Sequence, residues 1–369
     1  MNAAGLTGDF TVPFFGALLW VMPAVTRPTV QFGVRVPGER AGTTVIRRER
    51  RAYYERTAAI TVGCTVAAVL LRGYGSWWLS RIILLLEMAA DVGCFLIARK
   101  KITAAKNAGD WFAGLRQTVV ADTSWRTDPP RFPVLWLMPA LAVAAATGII
   151  GLLRYPGLPA HLAVAFGGPG RGAAKSAFSV FGVVAGQAYV TILWTGLMLI
   201  VYRSRPDLEA ADAAASSRRY RRFLAAWTRA LLTLVAMVNL TLLLAALQSW
   251  QVYRLSGIGS AVPLLPLMFG LLGLVVVMVR VGQGGHRLAG GGRSRGPGLA
   301  VAGVVDRDDD RFWKAGLFYV NRDDPAIMVA SRFGVGWTFN FANRMAWLVI
   351  GGMVTVPAGL ALILRAATM

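Results

Sequence analysis

Apolar residues fall along this chain in long blocks separated by polar, arginine-rich intervals. Eight blocks are long enough to read as membrane-crossing helices, at about 9–26, 58–76, 78–98, 133–153, 177–201, 223–247, 258–280 and 345–365. Roughly 20 helical residues cross the hydrocarbon core. The pattern predicts an all-α integral membrane protein of about eight transmembrane helices, with a small cytoplasmic β-hairpin module before the last. The expected organisation is a membrane domain over 1–281, a Gly-rich linker over 282–305, a module over 306–344 and a last helix over 345–369. The first block lacks a basic leader and a small-residue cleavage site, so it reads as a retained span.

The segment 311–343 breaks the pattern. It is dense in aromatics and turn residues and too polar to cross a bilayer. Asn321-Arg322-Asp323-Asp324-Pro325 predicts a turn, because Asn and Asp bond their own backbone and Pro presets φ. From Gly334 the chain alternates: Val335, Trp337, Phe339 and Phe341 face one way and Gly336, Thr338 and Asn340 the other. That is a strand period. Gly334 and Gly336 leave one face bare for a close approach. The expectation is a hairpin docked on the inner membrane surface, tethered by 282–298, whose glycines lack the context of a phosphate loop.

Composition supports the membrane reading. The chain is 56% hydrophobic and 15% charged, against about 25% charged in soluble domains. A net charge of +21 raises nucleic acid as a partner, but its placement argues against that. Eight Arg lie in 27–56, seven Arg or Lys in 99–131, six in 203–222 and ten in 280–344, while the alternate connections hold between one and three. Such alternation sets topology and faces anionic lipid. It places the basic loops inside and both termini outside, in the plasma membrane. The lipid bilayer is then the main partner, with a protein or peptide ligand as a further expectation; oligomeric state is not encoded legibly.

The inner loops carry further expectations. Residues 43–57 read as an amphipathic helix leading into the second span. Residues 98–119 extend the third span, with Ile102, Trp111, Phe112 and Leu115 free to lie on the interface. Trp250 and Tyr253 read as an outer interfacial pair.

Candidate chemistry is sparse. His161 and His286 fall on opposite sides of the membrane, no cluster has metal spacing, and no nucleophile elbow occurs. The sequence therefore predicts no enzyme, no metal and no cofactor. Asp306, Asp308, Asp309 and Asp310 read as a solvated loop with weak attraction for cations. Cys64 and Cys94 read as free thiols at different depths. Gln187 and Asn239 are expected to bond between helices. The suggestive pair is Glu87 and Asp91, about 40° apart on one helix face. Buried charge at that depth is a functional hypothesis by default; the alternative is an internal ion pair with Arg229 or Arg72.

Two stretches resemble known families. Trp313, Gly316, Tyr319, Asn321, Asp324, Pro325, Arg332, Gly334, Gly336, Thr338 and Asn340 fill the places of a C-terminal module called domain of unknown function 5808. Residues 154–182 resemble domain of unknown function 1648, found in bacterial multi-spanning proteins that include toxin-immunity and signalling members. Tyr155, Pro156, Leu158, Pro159, Phe166, Gly170, Lys175 and Ser176 carry that likeness, whereas Ala165 stands where the family has His and its Pro-Asp-x-Trp segment is shortened. The resemblance implies a multi-spanning sensor, regulator or immunity-type protein, without a defined ligand. The competing expectation is a small secondary transporter using Glu87 and Asp91, although no paired broken helices or internal repeat is visible.

Overall fold

The computed structural model describes residues 3–71, 77–120, 122, 124–163, 173–253, 255, 257–288 and 304–366. Among the described residues eight long helices occupy the eight apolar blocks. The first three are α1 (Ala3–Val25), α2 (Thr44–Leu70) and α3 (Trp77–Ala108). After a single turn, α4 (Ser124–Thr127), come α5 (Met138–Arg154), α6 (Ala177–Arg203), α7 (Ala213–Ser249), α8 (Leu265–Val281) and α9 (Arg344–Ala366). Helices α1–α3 pack on one another and α5–α8 form a second group.

Among the described residues four helical stretches, not eight, are long and apolar enough to cross a membrane: Val134–Gly157, Ala177–Arg203, Ala210–Ser249 and Gly259–Gly285. The other four fall short for visible reasons. The apolar part of α1 is the shorter stretch Thr11–Val25, and that of α9 is Arg344–Gly359. In α2 the first half is the charged run Arg47–Arg56, which the structure makes continuous with the apolar half. In α3 the charges at 81, 87, 91 and 99–101 interrupt the block.

Proline fixes how these helices join. A proline inside a helix removes the N–H that would bond the carbonyl four residues back. Pro23 in α1 and Pro357 in α9 each free such a carbonyl. Tyr53 Oη of α2 donates to Leu19 O at 3.0 Å, and Tyr189 Oη of α6 donates to Met353 O at 2.8 Å. Polar side chains also bind the second group, as the sequence predicts. Gln187 Nε2 donates to Thr147 Oγ1 (3.0 Å) and Asn239 O (2.8 Å). Asn239 Nδ2 donates to Thr191 Oγ1 (3.0 Å) and Ala140 O (3.1 Å), tying α5, α6 and α7.

Among the described residues four small two-stranded sheets lie in the connections. Strands β1 (Val30–Gln31) and β2 (Val34–Arg35) form a hairpin after α1. Strand β3 (Arg116–Thr118) pairs in parallel with β4 (Val304–Asp306). The module contributes two hairpins, β5–β6 (Trp313–Lys314 with Phe318–Tyr319) and β7–β8 (Met328–Ala330 with Trp337–Phe339). The module is thus two hairpins joined by a bridge between Tyr319 and Asn340, where one hairpin was expected. Within the expected tether Gln283–Gly285 is a buried turn of helix, and residues 289–303 lie outside the described residues.

At the opposite end, Trp250 is buried with Leu158, Leu162, Val180 and Ala246. It is a core residue under the 155–163 loop and not the interfacial anchor expected. Tyr253 Oη is bonded to Leu244 O. Cys64 and Cys94 are free thiols.

Candidate functional site

The module is built from its turns. Asn340 is fully buried, and its Nδ2 donates to Asn321 O and Asp324 O at 2.8 and 2.9 Å. Its Oδ1 accepts from the N–H groups of Asn321 and Ala342. The Asn321–Pro325 turn is therefore wound around one amide. Tyr319 Oη closes it by donating to Asp324 Oδ2 at 2.9 Å and accepting from Asn321 Nδ2 at 3.1 Å. Thr338 holds register opposite Val329. A satisfied buried network of this kind specifies one arrangement.

The alternation read from 335 onward is confirmed over three of its four positions. Val335, Trp337 and Phe339 pack on a core of Tyr220, Phe223 and Trp227 of α7 and Met278 of α8. Phe341 instead meets Phe318 and Trp347. The glycines differ in purpose. At Gly334, φ is +76° and a side chain would strike Met22 Sδ of α1. At Gly336, φ is +125° with open space around it, so backbone conformation alone excludes other residues there. Gln283 at the end of α8 holds that bare backbone, accepting from Gly336 N–H at 2.8 Å and donating to Gly336 O at 2.9 Å.

A second glycine contact joins the module to α1 and α3. Phe32-Gly33 and Ala315-Gly316 each form a turn with two consecutive positive φ values, 48° and 73° and then 52° and 74°. Such turns match the twist of the strands they join. The two turn tips meet: a Cβ on Gly33 would lie 2.6 Å from Gly316 O. Arg99 spans the contact toward Phe32 O and Trp313 O.

Charge completes the joint. The acidic run is not a solvated loop, because each of its carboxylates is matched. Arg35 pairs with Asp306 at 3.0 Å and Asp309 at 3.1 Å. Its backbone N–H bonds Asp310. Lys106 pairs with Asp308 and Asp310 at 2.6 Å. Arg332 pairs with both Asp309 and Asp310 and donates to Gly33 O at 3.1 Å. Its guanidinium lies 4.8 Å from the centre of the Trp313 ring. From the α6–α7 connection, Asp207 meets Arg27 at 2.9 Å, and Ala210 N–H bonds Asp306. Burial pushes Asp310 up, but Arg332 and Lys106 outweigh it and hold its carboxyl below the usual range. Burial wins at Asp306, whose carboxyl is raised despite Arg35. A cleft opens beside the network over Arg35, Asp207, Asp306 and Asp309, with Arg205 and Arg307 exposed at its mouth. Ile102 and Trp111, expected on the lipid surface, are buried with Phe32 and Val34 in this joint.

The remaining predicted site residues sort plainly. Lys175 Nζ donates to Pro156 O and Leu158 O at 3.3 Å and lies 5.0 Å from the Tyr155 ring. It clasps the outer loop, Pro159 is half-buried there, and Phe166 lies outside the described residues. Glu87 and Asp91 are buried, at 0% and 1% exposure, and their carboxyl oxygens make no hydrogen bond. Arg229 is exposed on α7 near Tyr202, so it is not their counter-ion. Arg72 lies outside the described residues. Among the described residues no three His, Cys, Asp or Glu side chains gather as a metal site.

Sequence reasoning missed Arg35, Lys106, Asp207 and Gln283. Their signal was present only as an arginine within a turn-flanked "FGVR" and an acidic run lacking a visible counter-charge. Compared with known proteins, residues 322–347 match the model of a family of unknown function, DUF5808. No curated protein and no solved structure matches the chain. The likeness covers the second hairpin and the start of α9, and it extends neither to Trp313–Asn321 nor to the 154–182 segment.

Proposed function

We infer that this is a multi-pass plasma-membrane protein without catalysis, a sensor, regulator or immunity-type protein. Its cytoplasmic module couples two groups of helices and meets a protein partner or peptide ligand. The observation that carries this reading is the network around Asp306–Asp310, in which cations from beside α1 (Arg35) and from α3 (Lys106) meet acids of the module, while the α6–α7 connection joins through Ala210. Movement of either helix group is then felt at one joint. The adjoining cleft, with Arg205 and Arg307 at its mouth, suits an acidic group on that partner.

The reading includes α1, α2, α3 and α9 as further crossings beside the four apolar stretches. Their support is the chemistry of their exposed faces. In α3, Leu85 and Leu86 are more than half exposed, and Ile82, Val92, Leu96 and Ile97 line the same outside while the acids turn inward. In α2, Val62, Val66, Val69 and Leu70 are exposed; in α9, Leu348, Val354 and Leu362 are. Large apolar patches of this kind mark a lipid or protein partner. With the basic loops inside, cysteines at Lys314 should be shielded from a membrane-impermeant thiol reagent in intact cells, and cysteines at Ala174 should be labelled. Labelling at Lys314 from outside sinks the orientation. To test the coupling, partners cross-linked to the full chain in native membranes are compared with those of Arg332→Met. A partner retained equally by a variant whose module has come loose excludes the module as the meeting point.

A second reading is supported by Glu87 and Asp91, buried without a hydrogen bond: a small secondary transporter coupled to protons or ions. Replacing the pair by Gln and Asn should abolish ion-driven flux in proteoliposomes while the protein still folds.

A further inference from the structure

The interior of α1–α3 holds more unsatisfied oxygen than two stray carboxylates. Thr57, Thr61 and Thr65 follow one another at every fourth residue on α2, so they share a face. Glu87 and Asp91 do the same on α3. Thr61 faces Glu87 and Thr57 faces Asp91 at close range. The hydroxyls of all three threonines and all four carboxyl oxygens are buried and make no hydrogen bond. Thr57, Glu87 and Asp91 are each at least 99% buried. On the third side is α1, which presents Gly16. A side chain there would land on both Thr61 Oγ1 and Glu87 Oε1, so the two oxygens converge on bare α1 backbone. Ile83 and Val12 cap the apolar side of the same space.

Burying one polar group without a partner costs a few kcal/mol, and burying an unpaired charge costs more. Seven such oxygens on single faces of α2 and α3 are what a positive charge between the helices would satisfy. Of these oxygens, Thr61 Oγ1 and Glu87 Oε1 converge on the bare backbone at Gly16. Hard oxygen ligands suit small hard cations, and two carboxylates sharing one proton would match a single positive charge. We propose that Thr57, Thr61, Glu87 and Asp91, closed by Gly16, form a binding site for a sodium ion. The site extends the transporter reading only in what the ion is for. Binding itself stands without transport, and sodium held as a structural ion satisfies it equally.

The test uses the full chain purified in detergent. Radioactive sodium is measured on the wild type by equilibrium binding, and the melting temperature is followed in NaCl and in choline chloride at equal ionic strength. Saturable binding together with a melting temperature higher in NaCl supports the site. Thr61→Val keeps the shape of the side chain and removes one ligand oxygen, and it should weaken sodium binding by about tenfold, equivalent to about 1.4 kcal/mol. Glu87→Gln should abolish it. No sodium bound by the wild type, equal melting in the two salts, or binding unchanged in Thr61→Val and Glu87→Gln overturns the proposal. Should Glu87→Gln fail to fold, the wild-type measurement and Thr61→Val decide alone. Flux is measured separately: sodium bound without sodium-driven flux upholds the site and removes the transporter reading.

Discussion

Two acidic regions of this protein differ in one respect. Around the module, Asp306, Asp308, Asp309 and Asp310 are matched by Arg35, Lys106 and Arg332. Within α1–α3, Glu87 and Asp91 are buried at least as deeply and hydrogen-bond to nothing. A matched network fixes geometry and has no need of a further ligand. An unmatched one has a demand that the chain does not meet. The first region therefore reads as a joint and the second as a place where something binds.

The strongest way to break this contrast is to unmatch the joint. Arg332→Met leaves Asp309 and Asp310 short of a cation, and removing one partner of a buried pair costs about 3–5 kcal/mol. The module should lose most of its protease resistance in inverted vesicles, and unchanged resistance would make the network ornamental. Next come the glycines. Gly334→Val meets both a positive φ and Met22; Gly336→Val meets only the φ, where strain costs about 1–3 kcal/mol. Resistance should fall in the order Gly334→Val, Gly336→Val, Val335→Ala, and a reversal at the first two would remove the contact with α1.

Acid should sharpen the comparison further. The Asp310 carboxyl is held below its usual range, so its contribution is present above about pH 3.9 and is lost as pH falls through its folded value. The raised Asp306 acts oppositely: its contribution is fullest below about pH 3.9 and shrinks as pH rises through its folded value. Protection of the amide hydrogens across 304–343, taken relative to their intrinsic exchange rates, should therefore rise slightly on mild acidification and then collapse below about pH 4. Monotonic loss of protection from neutral pH would mean that Asp306 is well solvated. The smallest effect is expected inside α1–α3. In sodium-free buffer, Glu87→Gln should leave the melting temperature unchanged or raise it, since no partner is lost. A fall comparable to that of Arg332→Met would reveal a counter-ion and erase the distinction between the two regions.

The sequence carried the helical blocks, the Asn321–Pro325 turn and most of the inward face of 335–339, because each depends on local period or turn chemistry. It also carried Glu87 with Asp91, since two acids one turn apart in an apolar block stand out. It could not carry the partners of the acidic run. Arg35 is one of eight arginines in 27–56, and nothing local separates it from its exposed neighbours. Nor could it show that Gly316 faces Gly33, since contacts between distant turns leave no period. Trp250 misled for the same reason: a tryptophan near a helix end looks alike whether it faces lipid or a loop folded over it.

The meeting of Gly33 and Gly316 also sets a timetable. The two tips are 283 residues apart, from 33 to 316. At synthesis rates of about 5–20 residues per second, roughly 15–60 s separate their appearance. Over that interval α1–α3 are complete, while Arg35 and Lys106 have none of their partners from the acidic run. Until residues 306–310 emerge, Lys106 lacks both of its carboxylates and Arg35 has only Asp207. The module thus completes a joint whose cations on α3 and beside α1 were made first, and a chain cut short before residue 304 would leave them without these carboxylates.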